Sequence, residues 1–223
     1  MEALHDILMF LGSSVCHQLT ERSITFGDYQ MPLCARCMGI HLGFLLSAAY
    51  LWAGPLRHAS ALPSKRALVV LGLFISAGLV DAALSYSGLL PSDNLRRTLS
   101  GLAMGTGIPF VLVPLVNMTL FPGRDPRGPI SRPRDWLRLA GVYLFGAAAV
   151  LAASLAYAAF VAVSVAVIVG LFVTVSSIFL AILSLALEDR RLGARRLAIA
   201  SVALATSMLL VMAAVHATLL PEL

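Results

Sequence analysis

Three cysteines, Cys16, Cys34 and Cys37, and two of the five histidines, His17 and His41, fall in one stretch near the start of the chain, which holds no other cysteine. A Cys-x-x-Cys pair with a third cysteine upstream and a histidine four residues after the pair has the composition of a tetrahedral metal site. Three thiolates and one imidazole suit zinc, with iron and cuprous copper as the other candidates. Either histidine could supply the nitrogen. His41 lies one turn after Cys37 if that segment is helical. His17 adjoins Cys16 and has to point elsewhere if Cys16 binds. The same thiols could instead form a thiol–disulfide redox centre at the membrane face. Cys34 and Cys37 at a helix N-terminus, flanking Arg36, would then be the active pair, with Cys16 as the shuttle or resolving thiol. The metal site ranks first, because a redox pair leaves the neighbouring histidine unexplained. Buried or disulfide-bonded structural cysteines are the bland alternative, and the gathering of every cysteine near histidine argues against it.

A few polar residues elsewhere could serve such a site. Asp81 lies inside an apolar run with nothing charged beside it, and a carboxylate at membrane depth needs a partner or a water-filled cavity. Arg97 is the expected partner, or Asp81 supports a metal-bound histidine. If the metal keeps an open position it could activate water, with Asp81 or Glu21 as base. Arg22, Arg36 or Arg97 would hold an anionic small molecule or lipid headgroup. Asp81, Arg97 and Glu21 are therefore the candidate catalytic residues, and a structural ion pair is an equal alternative for Asp81 and Arg97. A transporter built on a helix broken by Pro109 and Pro114 ranks third, since no internal repeat accompanies it. His216 reads as an interfacial residue.

The elements that must position these residues are membrane helices. Of the 223 residues 59% are hydrophobic and only 12% charged, against roughly 25% charged in an ordinary soluble domain. The pattern predicts an all-α polytopic transmembrane bundle of about six spans, preceded by a short interfacial or partly inserted helix over residues 3–14. The spans are expected near 37–52, 67–90, 98–121, two within 136–187 joined by a tight hairpin at 157–163, and 197–219. The first would be longer if it began inside the Cys-x-x-Cys pair. The Pro/Arg loop 122–135 separates a first part, residues 1–121, from a second, 136–223. The loops 55–66, 122–138 and 188–196 carry twelve of the sixteen Lys and Arg. By the positive-inside rule they face the cytoplasm and both termini face out. The basic residues form no stripe with exposed aromatics, so nucleic acid is not an expected partner; the lipid bilayer is.

Cys16-His17-Gln18, Glu21-Arg22-Ser23 and Pro32-Leu33-Cys34-Ala35-Arg36-Cys37-Met38-Gly39-Ile40-His41-Leu42-Gly43 resemble the signature of a family of small bacterial and archaeal membrane proteins of unknown function. Asp81 and Asn94-Leu95-Arg96-Arg97-Thr98-Leu99-Ser100-Gly101-Leu102 are similar to its weaker second signature. The resemblance covers roughly the first 110 residues. It implies the prokaryotic cytoplasmic membrane and marks the last three spans as an addition. It also implies that His17 is a better ligand than His41, where the family often has Tyr. It supplies no activity.

Overall fold

The computed structural model describes residues 2–54, 56–122, 125–126, 128–187 and 193–219. Its helices are α1 (Glu2–Gly12), α2 (Ala35–Ala53), α3 (Lys65–Tyr86), α4 (Asn94–Gly107), α5 (Pro109–Leu120), α6 (Pro133–Leu155), α7 (Tyr157–Ala186) and α8 (Ala194–Leu219). Between α1 and α2 lie a 3-10 turn at Thr20–Arg22 and a two-stranded antiparallel hairpin, β1 (Thr25–Phe26) and β2 (Tyr29–Gln30). The protein is an all-α membrane bundle. Five helical stretches are long and apolar enough to span a bilayer: α3, α4 with α5, α6, α7 and α8. The shorter α2, which carries Arg36 and His41, runs through their centre and makes the sixth.

Several expected boundaries move for local reasons. The first span begins at Ala35, inside the Cys-x-x-Cys pair, with Cys34 at its N-cap. The third opens at Asn94, capped by Asp93, whose side chain accepts from the Arg96 N–H. It breaks between Gly107 and Pro109, where the proline lacks an N–H and starts a new helix instead. Pro114 lies inside α5 without ending it. The apolar run after Pro133 does cross twice, but it turns at Ala156, one extended residue before the expected hairpin. Arg124, Arg127, Arg190 and Arg191 of the basic loops lie outside the described residues.

Packing fixes the direction of each helix. Gly39 and Gly43 of α2 press against Thr98, Leu102 and Thr106 of α4, so these two run in parallel. A β-carbon on Gly39 would lie 2.5 Å from the Thr98 carbonyl oxygen, and one on Gly43 would lie 2.7 Å from that of Leu102. Gly101 and Gly105 of α4 meet the backbone of Arg36 and Ile40 in the same way. This is close backbone approach through small residues four apart on both helices. Gly170 brings α7 onto His41, also parallel to α2.

The remaining spans return in the opposite sense. Asp81 near the end of α3 meets Arg36 at the start of α2. Leu139 of α6 packs beside Leu51, and Val150 and Ala153 beside Leu33 and Met38. His216 at the end of α8 stands beside His17. One end of the bundle therefore gathers the cysteine segment, the α3–α4 loop, the α6–α7 turn and the end of α8; the other carries the described residues of the three basic loops. Burial separates interior from periphery: 56% of the α4–α5 span is buried and 44% of α7, against 22% for each of α3, α6 and α8. Helix α1 seats Leu8 against Ile168, Leu171 and Leu209 of α7 and α8.

Candidate metal centre

The loop from Ser13 to Leu33 has little regular structure, and its backbone is held by side chains. Gln18 adopts φ +53°, an uncommon value for a residue with a β-carbon. Its amide donates to the carbonyls of Met9 at 2.7 Å and Pro32 at 2.8 Å, stapling the end of α1 to the residues before Cys34. Gly12 sits against the same Pro32 carbonyl, where a β-carbon has no room. Ser23 Oγ donates to Leu19 O at 2.9 Å, and Gln30 donates to Ser23 Oγ at 3.2 Å. Asn94 of α4 donates to the Ser23 carbonyl at 3.1 Å, tying the loop to the bundle. Polar residues of both sequence signatures thus build the loop.

These constraints bring the three sulfurs together. Cys16, Cys34 and Cys37 place their Sγ atoms within 4.8 Å of one another. Four tetrahedral ligands at a zinc–sulfur distance of about 2.3 Å have sulfurs about 3.8 Å apart, so the cluster fits a shared ion after small side-chain adjustments. Cys16 is buried and the other two are half-buried; all three thiols are free. The Cys34 N–H, unpaired at a helix start, donates to Cys16 Sγ at 3.2 Å. The Cys34 thiol is held well below its usual pKa range, because hydrogen bonds with the Cys16 and then the Cys37 thiol stabilise its thiolate against the cost of burial. The Cys16 thiol is pushed up, chiefly by its hydrogen bond with Cys34.

The cluster faces a cavity of about 290 Å³, lined also by His17, Gln18, Arg22 and Tyr86. His17 is exposed on this wall, with its ring centroid 6.5 Å from that of His216. His41 turns elsewhere. Its Nδ1 lies 3.1 Å from Thr174 Oγ1 of α7, and that hydroxyl already donates to the Gly170 carbonyl at 2.7 Å. Neither histidine lies among the clustered sulfurs. Glu21 stands at the surface, 3.7 Å from Arg22.

Asp81 is 3% exposed and fully engaged. Its Oδ2 accepts from Arg36 Nη2 at 2.6 Å, Arg36 Nε at 3.1 Å and Ser100 Oγ at 3.2 Å. Its Oδ1 accepts from Ser92 Oγ at 2.9 Å and forms an ion pair with Arg96, whose Nε lies 2.8 Å away. The expected pairing with Arg97 is thus replaced by Arg36 and Arg96. Arg96 and Ser100, four apart, share the face of α4 turned to α3, while Arg97 is rotated by about 100° from Arg96. Among the described residues the Arg97 side chain reaches only Asn94 Oδ1, at 3.5 Å. A carboxylate whose acceptor sites are all filled is an anchor rather than a free base. Arg36 lies between Cys34 and Cys37, so this anchor fixes the turn that carries both thiols directly. The guanidinium carbons of Arg36 and Arg22 stand 5.7 and 5.9 Å from the Tyr86 ring centroid. Tyr86, Ser92 and the staple formed by Gln18 are contributions that the sequence reading missed. Only Gln18 had a signal, its place directly after Cys16-His17.

Comparison with known proteins matches the sequence of this segment to a family. Residues 16–111, from the first cysteine to the start of α5, match the model of a family of predicted membrane proteins (DUF2085). An uncharacterised protein of Methanothermobacter thermautotrophicus is 29% identical over 106 residues, 48% of this chain and 91% of its own length. An uncharacterised protein of Methanocaldococcus jannaschii is 28% identical over 103 residues, 46% of this chain and 64% of its own length. No solved structure matches. The resemblance read from the cysteine segment is therefore to a real membrane-protein family of unknown function, matched over the part of the chain that holds the three clustered cysteines.

Proposed function

We propose that this integral membrane protein binds one metal ion, zinc in preference to iron or cuprous copper, through Cys16, Cys34 and Cys37. The observation that carries the reading is the convergence of all three sulfurs, from two separate segments, to within 4.8 Å of one another beside a cavity. A disulfide needs only two of them. Three thiolates leave one tetrahedral position, and His17 is the better placed histidine for it, since His41 is turned to Thr174. Were that position left to water or an anion instead of His17, a bound zinc would polarise it and lower its pKa. Arg22 and Arg36 offset the surplus negative charge and favour an anionic ligand, a small molecule or a lipid headgroup. Glu21 and Arg97 stand outside the cluster; Asp81 acts on it through Arg36. The charge distribution supports an orientation with the cysteine end facing away from the cytoplasm.

Metal content by elemental mass spectrometry, with free thiols counted on the same detergent-purified sample, tests this. About one zinc per chain with protected thiols is expected, and Cys34→Ser or Cys37→Ser should lose both together. A second reading, a thiol–disulfide site, is favoured by Cys34 at the N-cap of α2 with two free thiols in reach. No metal and one free thiol per chain would overturn the metal site in its favour.

A further inference from the structure

The end of the bundle opposite the cysteines holds a second cavity, of about 310 Å³, that the metal reading does not use. Its size falls at the lower edge of ligand pockets, roughly 300–1,000 Å³. Its walls come from α5, α7 and α8: Leu112, Val116, Leu120, Leu180 and Ala198. They are apolar along the length of α5, from mid-helix to its end. The mouth differs in character. Arg57 and His58 close it from the α2–α3 loop, and Ala194 borders it at the start of α8, directly before Arg195 and Arg196.

The mouth is built rather than incidental. Asn117 of α5 is buried and donates to the carbonyls of Arg57 at 3.2 Å and Ala59 at 3.0 Å, which holds the loop over the cavity. Arg57 pairs with no carboxylate among the described residues; its Nε donates to His58 Nε2 at 3.1 Å. Trp52, at the end of α2, lines the same opening, as an aromatic side chain at a membrane–water boundary does. An apolar slot along a membrane helix, with Arg57 at its mouth, has the complementarity of an acyl chain below an anionic headgroup.

We propose that this cavity binds an anionic phospholipid. One acyl chain lies against α5, α7 and α8, and the phosphate meets Arg57 at the mouth. Nothing in this depends on the metal centre at the other end.

Native mass spectrometry of the full chain in detergent, titrated with phosphatidylglycerol or phosphatidylcholine of identical chains, tests it. Phosphatidylglycerol should bind about fivefold more tightly, and Arg57→Gln should remove most of that preference. Ala198→Phe, which fills the slot, should weaken both lipids, whereas Val69→Phe on the exposed face of α3 should not. Arg57→Gln leaves the core untouched, so it reads the headgroup even if Ala198→Phe fails to fold. Equal binding of the two lipids, or a preference unchanged in Arg57→Gln, would overturn the proposal. Zinc content should be the same in Arg57→Gln and the parent protein.

Discussion

The two parts of the bundle are held together by different physics. In the first, α2 and α4 touch backbone to backbone through Gly39, Gly43, Gly101 and Gly105, and a buried carboxylate gathers two arginines and two serines. In the second, the helices meet mainly through apolar side chains: Val150 and Ala153 of α6 with Phe160 and Val163 of α7, and Ile168 and Leu171 of α7 with Leu209 of α8. Its buried carboxylate, Asp135, closes the N-terminus of α6 by accepting from the Arg132 N–H at 2.9 Å. Backbone seams and saturated ion networks fix position tightly and tolerate little change; side-chain packing between helices can adjust. The three sulfurs belong to the first part, which suits the proposed metal site.

The comparison can be broken most severely at the seam. Gly105→Val would drive a side chain into the Ile40 backbone and should destabilise the bundle by about 3 kcal/mol, enough to lose monodisperse protein. Gly141→Val on α6, where a β-carbon meets nothing within 4 Å, should leave the melting temperature in detergent nearly unchanged. Similar melting for both variants would erase the distinction. Asp81→Asn comes next. It leaves Arg36, 11% exposed at its side chain, without its counter-charge, at a cost on the order of 3 kcal/mol. Because Arg36 lies inside the ligand turn, metal affinity in a chelator competition should also fall, by about tenfold. A variant that melts early but keeps full metal affinity would separate the anchor from the site.

Gln18→Ala leaves the Pro32 carbonyl without its donor, while that of Met9 keeps the Ser13 N–H at 3.0 Å, and should cost about 1–2 kcal/mol, with faster metal loss to a chelator. Unchanged metal release would mean that the loop holds its shape without the staple. Arg97→Ala is expected to be the mildest, under about 0.5 kcal/mol, since one long hydrogen bond to Asn94 is all it loses. A loss as large as that of Asp81→Asn would restore Arg97 to the role now given to Arg96.

Much of this was legible in the residues. Apolar run lengths give six spans, Pro109 marks the break in the third, and the cysteine spacing singles out the residues that meet. Register between helices was not legible. Whether Arg96 or Arg97 faces Asp81 depends on how α4 rotates against α3, and the glycine seam with α2 sets that rotation. The turn at Ala156 escaped for a related reason. A single extended residue between two alanine-rich helices has neither the polarity nor the Gly/Pro content of a turn. The Gln18 staple needs the end of α1 and Pro32 to meet across an irregular loop, which no periodicity encodes.

The central claim is that Cys16, Cys34 and Cys37 share one metal ion. Zinc-edge X-ray absorption on the purified chain tests it most directly, by counting sulfur ligands at about 2.3 Å. Three sulfurs with one nitrogen or oxygen, falling to two sulfurs in Cys16→Ser, is the predicted result. A zinc shell without sulfur, or protein that retains no metal while its thiols pair, would contradict it.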